Sequence, residues 1–204
     1  MCDNSRAAVI AKYTDKSRYK SEHIFGNVYV DERRIKLSEI STEEKNKYDK
    51  ELKVAKRFAE HYNCEVFLIP EGDENGNAIF TEKNSNPDAI LQGYFIDFKQ
   101  AKGSDRSITK RFGRGLGQAE GIIITIENDT SIEKAVQWIN GSLNAMKHSH
   151  DGFIVIIEDR SGNYGIYSIN GKRLSVEENL STAAQRLSPP DIINNNTSCV
   201  NVNP

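Results

Sequence analysis

Asp88, Asp97 and Lys99 are the residues of this chain whose types and spacing could do chemistry together. Gln92-Gly93 has the composition of a two-residue hairpin turn, so Leu91 is predicted to pair with Tyr94 and, counting outward, Asp88 to face Asp97. Directly opposed Cβ atoms on a hairpin sit about 4.5–5.5 Å apart, and like charges that close destabilise a sheet unless something positive lies between them. A divalent ion is the natural occupant. Lys99 projects from the same strand face as Asp97, while Ile96 and Phe98 point the other way, toward a core. A magnesium-like ion keeps several waters, so two carboxylates and a carbonyl suffice to hold it while it binds a phosphate oxygen. A lysine beside it could orient or help deprotonate the attacking water and offset charge on a phosphorane. The chemistry predicted is phosphodiester hydrolysis.

The elements that must position these groups are legible around them. Ser41 or Thr42, followed by Glu43 and Glu44, predicts the start of a helix running to Tyr62, with Tyr48, Leu52, Ala55, Phe58, Ala59 and Tyr62 on one stripe. Glu51 borders that stripe, whereas Glu60 shares the solvated side with Lys53, Lys56 and Arg57. CEVFLIP predicts a buried strand over 65–69, GDENGN an exposed turn, AIFTEK a short strand, and 88–101 the hairpin with Gly93 at its bend. Ser104 caps a predicted helix over about 105–119, weakened by Gly113, Gly115 and Gly117 at roughly 1 kcal/mol each relative to Ala. GIIITIE, GFIVIIE and YGIYSI read as strands, SIEKAVQWINGSLNAM as an amphipathic helix that buries Trp138, and 176–187 as a last helix. The order, helix, strand, hairpin, helix, strand, helix and two strands, gives an α/β fold with a mixed sheet flanked by helices.

At 204 residues the chain fits one domain over 41–187, with the polar residues 1–40 as an N-terminal arm and the Asn- and Pro-rich residues 188–204 as a disordered tail. A net charge of -2 gives no global indication of a nucleic-acid partner, so that inference rests on the local concentration of Lys102, Arg106, Lys110, Arg111 and Arg114 just after Lys99. Arg106, Lys110 and Arg114 fall at i, i+4 and i+8, a basic edge that could track a phosphate backbone. Cys2, Cys64 and Cys199 lack metal-knuckle or redox spacing and read as free thiols. Without a long apolar run or a secretory leader, the expected site of action is a cytoplasm, with no membrane partner.

Pro87-Asp88 followed by Asp97-Phe-Lys99 resembles the PD-(D/E)xK motif of restriction-endonuclease-like nucleases, whose core order is αβββαβ. More narrowly, about 51–127 resembles the C-terminal tRNase domains of contact-dependent growth inhibition toxins and related phage-borne domains, a stretch well under half of the chain. The resemblance implies magnesium, or manganese in its place, held by Asp88, Asp97 and a first-helix glutamate, which Glu51 matches through its E-x-x-x-A spacing to Ala55. It also implies a role for Gln118 in the helix after the hairpin, RNA and especially tRNA as substrate, and a small acidic immunity protein over the basic helix. Two rivals stay open: a DNA endonuclease of a restriction or mobile-element system, and a non-catalytic binding module on a decayed nuclease fold. Asp-x-Lys alone is ordinarily a solvated ion pair, and Glu51 alone an ordinary helix acid.

Overall fold

The computed structural model describes residues 5–178, and these form one mixed sheet of nine strands whose spatial order follows the sequence. The chain runs α1 (Arg6–Thr14), β1 (Ile24–Phe25), β2 (Val28–Val30), α2 (Glu32–Ser38), α3 (Thr42–Tyr62), β3 (Val66–Leu68), β4 (Ala89–Leu91), β5 (Tyr94–Ala101), α4 (Asp105–Leu116), β6 (Gly121–Ile126), α5 (Ile132–Ala145), β7 (Ile154–Glu158), β8 (Tyr164–Asn170) and β9 (Arg173–Val176). Three neighbouring pairs are parallel: β2 with β3, β5 with β6, and β6 with β7. Each is joined through one or two helices, as a parallel connection requires, and the other pairs are antiparallel.

Strand alternation sorts the helices between the two faces. Ile96, Phe98 and Ile123 pack with Val54, Ala55 and Phe58 of α3. Ala101, Ile122 and Ile124 pack with Ile108 and Phe112 of α4 and Ala135 and Ile139 of α5, while Phe67, Ile90 and Phe95 pack with Tyr13 of α1. The α/β class and the element order from α3 to β8 are as expected from the sequence. The helix starts follow their caps: Ser41 accepts from the Glu44 N–H and Ser104 from the Ser107 N–H.

Several expectations need correction. Residues 5–40, read as an arm, are built into the fold: β1 and β2 extend the sheet, and Tyr13, Val28 and Val30 are buried in its cores. Their elements are too short for periodicity to show. The AIFTEK stretch is a 3-10 turn at Thr81–Lys83 closed by an isolated bridge between Phe80 and Ser85, because Ile79 and Phe80 turn inward to the core instead of extending a ladder. The helix of 105–119 stops at Leu116, which leaves Gln118 beyond its end. Gly115 nevertheless suits its place, since a Cβ there would lie 2.5 Å from Ile122 Cδ1, so its absence lets α4 settle close onto β6. Val176 ends β9 and Glu177 and Glu178 follow it outside any helix, so the proposed last helix does not begin at 176; its residues 179–187, like the tail 188–204, lie outside the described residues.

Candidate active site

The hairpin forms in the predicted register for Leu91 opposite Tyr94, Ile90 opposite Phe95 and Ala89 opposite Ile96, but the predicted cross-strand pair of Asp88 with Asp97 is not part of the ladder. Gln92 and Gly93 both take positive φ, 46° and 83°, as a primed two-residue turn demands. At Asp88 the ladder gives out: its N–H donates to the Ile96 carbonyl at 3.0 Å, one residue out of step, and its Oδ2 accepts from the Phe98 N–H at 2.7 Å. Strand β5 therefore continues from Asp97 to Ala101 paired with β6 on one side only. Along this uncovered edge, side chains from both sheet faces reach the same space. The cleft there, about 340 Å³, is lined by Glu51 and Lys50 of α3, by Asp88, Asp97 and Lys99, and by Arg111 and Gln118 from the other face.

Asp97 and Lys99 share a face as predicted, with Lys99 Nζ donating to Asp97 Oδ1 at 2.6 Å. Asp97 is 3% exposed, and its Oδ2, although 2.5 Å from the same ammonium, has no well-directed donor. Two buried side-chain polar atoms among the described residues lack a hydrogen-bond partner, Asp97 Oδ2 and Arg34 Nε, and both belong to this site. Burial, then the charge and hydrogen bond of Asp88, push Asp97 up to about 7, and Lys99 offsets only part of this. Burial also acts on Asp88, but there the Arg34 guanidinium, the contact with Asp97, the Phe98 N–H and Lys99 outweigh it and hold the carboxyl below its ordinary range. The opposed shifts follow from two carboxyls in contact in a buried place, where the cations and the Phe98 N–H favour the charge on Asp88.

Glu158 shows what a buried acid looks like when its role is architectural. It is 1% exposed, yet it accepts from Arg57 at 2.6 and 2.7 Å, from Thr125 at 2.8 Å and from Tyr164 at 2.8 Å. A larger hollow of about 610 Å³ lies between α1 and the 73–81 loop, and the two acids that line it are both held low. Its Asp73 is held low by the Asn77 N–H and its Glu74 by Lys12.

Arg34 was not anticipated. The third residue of the short helix α2, it is 3% exposed and bridges Glu51 and Asp88. Glu51 therefore lines the cleft as predicted but with one carboxylate oxygen engaged by a guanidinium, and burial, ahead of the Arg34 attraction, raises its pKa. Among the described residues no three His, Cys, Asp or Glu side chains gather tightly enough to form a ready metal cage. The oxygens that suit a hard divalent ion are those of the Asp88 and Asp97 pair, with the unsatisfied Asp97 Oδ2 as the first donor. The only sequence signal for Arg34 was the run Asp31-Glu-Arg-Arg, a capping aspartate followed by charges.

The six polar residues expected to meet nucleic acid divide by position. Arg111 and Gln118 line the cleft; Arg106, Lys110 and Arg114 are exposed on α4, and Lys102 is exposed just before it. Among the described residues no ion pair engages Lys50, Lys102, Arg106, Lys110, Arg111 or Arg114. No described helix is long and apolar enough to cross a membrane. No family model, curated protein or solved structure matches this chain.

The raised Asp97 pKa has a consequence for stability. The folded chain holds this proton more tightly than the unfolded chain, whose aspartate titrates near 4. Stability from this group is therefore full below about pH 4 and is lost as pH rises through about 7. Asp97→Asn, which keeps the shape and can donate to Asp88, is predicted to be more stable than wild type at pH 8 in chelator. The expected gain is about 1–2 kcal/mol, or roughly 2–8 °C in Tm, shrinking toward pH 5. Thermal melts at the two pH values check this, and a variant less stable than wild type at pH 8 would contradict it.

Proposed function

We propose that the chain is a metal-dependent nuclease that hydrolyses phosphodiester bonds at the Asp88, Asp97 and Lys99 cluster. The observation that carries this reading is the buried pair Asp88 and Asp97 at the uncovered edge of β5, with Lys99 on Asp97, in a cleft that Lys50 and Arg111 also line. A divalent ion, when bound by Asp88 and Asp97, supplies charge to polarise the phosphate and acidify a water. Asp97, pushed up to about 7 by burial and Asp88, would have to lose its proton to hold the ion, so affinity for the ion would fall as pH drops below about 7. Lys99 lies where its ammonium can hold the attacking water and neutralise charge growing on the phosphate oxygens. Arg111 and Lys50, which both line the cleft, would seat the phosphates flanking the scissile bond. The α3–β3–β4–β5–α4–β6 order supports a restriction-endonuclease-like core, and RNA, with tRNA first, is the substrate favoured by the motif's resemblance to toxin tRNase domains.

Incubating the purified chain with tRNA and with supercoiled plasmid, each with magnesium, manganese or a chelator, tests the reading and its substrate. Metal-dependent loss of tRNA supports it as stated; nicking of plasmid alone moves it to a DNA endonuclease. The Arg34 bridge to Glu51 favours one other reading, a binding module that has lost its ion, and that reading predicts no cleavage of either substrate by folded protein.

The α4 edge carries a separate prediction. Replacing Arg106, Lys110 and Arg114 together by Ala should raise KM about tenfold with kcat little changed, and lower the slope of log KM against log salt by about 2–3. Steady-state kinetics from 50 to 200 mM salt would show it. An unchanged slope would place the substrate elsewhere.

A further inference from the structure

The hydrogen bonds of Arg34 are directed at the site and at the backbone that carries it. Nη1 donates to the carbonyls of Ile69 at 2.6 Å and Asp88 at 3.2 Å; Nη2 donates to the Glu51 carboxylate and lies 3.4 Å from Asp88 Oδ1. The chain delivers it rigidly. The Asp31 N–H donates to the Leu68 carbonyl at 3.0 Å, fixing the end of β2 against β3, and the Asp31 carboxylate caps α2 by accepting from the Arg33 N–H at 3.0 Å. A guanidinium is planar and permanently charged, so once buried it sets the spacing of the carboxylates it bridges. Burying an ion pair contributes little net stability, yet removing one partner leaves the other charges buried and uncompensated, so Arg34 fixes the charge balance of the cluster.

We propose that Arg34 stands in the place of a second metal ion: it holds Glu51 and Asp88 together, and the centre takes a single divalent ion through Asp97 and Asp88, with Glu51 no ligand to it. This rests on the nuclease reading above. Three carboxylates, Glu51, Asp88 and Asp97, face two fixed cations, Arg34 and Lys99. One divalent ion offsets the remaining negative charge and leaves the site positive enough to receive a phosphodiester. A second would have to sit against the guanidinium, in surroundings where like charges are poorly screened. Arg34 is on this account a positioning residue, and it makes the segment before α3 part of the centre.

Manganese titration of the full chain, followed by the electron paramagnetic resonance signal of the free ion, reads stoichiometry and affinity without cleavage. The expected result is one ion per chain in wild type, with Glu51→Gln leaving the affinity within about twofold and Asp97→Asn weakening it about 10–100-fold. Arg34→Met should uncover the Glu51 and Asp88 oxygens and raise the stoichiometry toward two. Should that variant fail to fold, the Glu51→Gln arm decides alone. Two ions in wild type, an Arg34→Met chain that still takes one, or a roughly tenfold or greater loss in Glu51→Gln would overturn the inference about Arg34 and leave the nuclease standing. No ion bound by folded wild type would overturn both.

Discussion

Asp97→Ala should leave a folded chain that cleaves at least about 10³-fold more slowly than wild type, a loss of about 4 kcal/mol of barrier lowering. The size follows from how much converges on this carboxylate. Asp97 is buried, it lies against Asp88, which with burial pushes its pKa up to about 7, and it anchors the Lys99 ammonium at 2.6 Å. Under the proposed chemistry, removing it takes away an ion ligand as well as the partner that fixes the lysine, so the effects compound within one unit. Its interior position does not imply collapse on truncation, because a carboxylate held at a pKa of about 7 is itself a burden on the fold at neutral pH. Circular dichroism paired with cleavage rates checks both halves. A variant that keeps wild-type rates would remove Asp97 from the chemistry.

Lys99→Met should lower kcat by about 10²–10³-fold with KM changed little, because the aliphatic stem stays and the cations that seat the substrate backbone are untouched. A second signature separates this from general damage. Lys99 is the group that lowers the Asp97 pKa against burial and Asp88, so its loss should move the rising limb of the pH–rate profile to higher pH. Under the proposed chemistry the limb would reflect deprotonation of Asp97 ahead of ion binding, with activity present above the midpoint and lost below it. Residual rates measured across pH 6–9 test the shift. An unmoved limb would mean that the titrating group is not Asp97.

Much of this arrangement could be read in the sequence because its signals are local. Gln92-Gly93 sets the hairpin register through positive φ at two consecutive residues, and that register, with alternation, puts Asp97 and Lys99 on one face. Serine caps at 41 and 104 set the helix starts. The parts that escaped depend on distant contacts. Residues 5–40 pack through scattered residues such as Tyr13, Tyr19 and Arg34, whose partners lie up to tens of positions away. The cleft exists because β4 is three residues long while β5 has eight, a mismatch that turn chemistry does not encode. Gln118 reached the cleft despite lying outside the helix predicted for it, since the chain leaving α4 turns back there and its carbonyl accepts from Ser85 Oγ.

Cleavage of labelled tRNA by wild type, Asp97→Ala and Lys99→Ala, each folded and each with magnesium or excess chelator, tests the central claim most directly. Wild type with magnesium should cleave, and cleavage should be lost in chelator and in both variants. Cleavage that persists in both variants would show that Asp88, Asp97 and Lys99 are not the site of reaction.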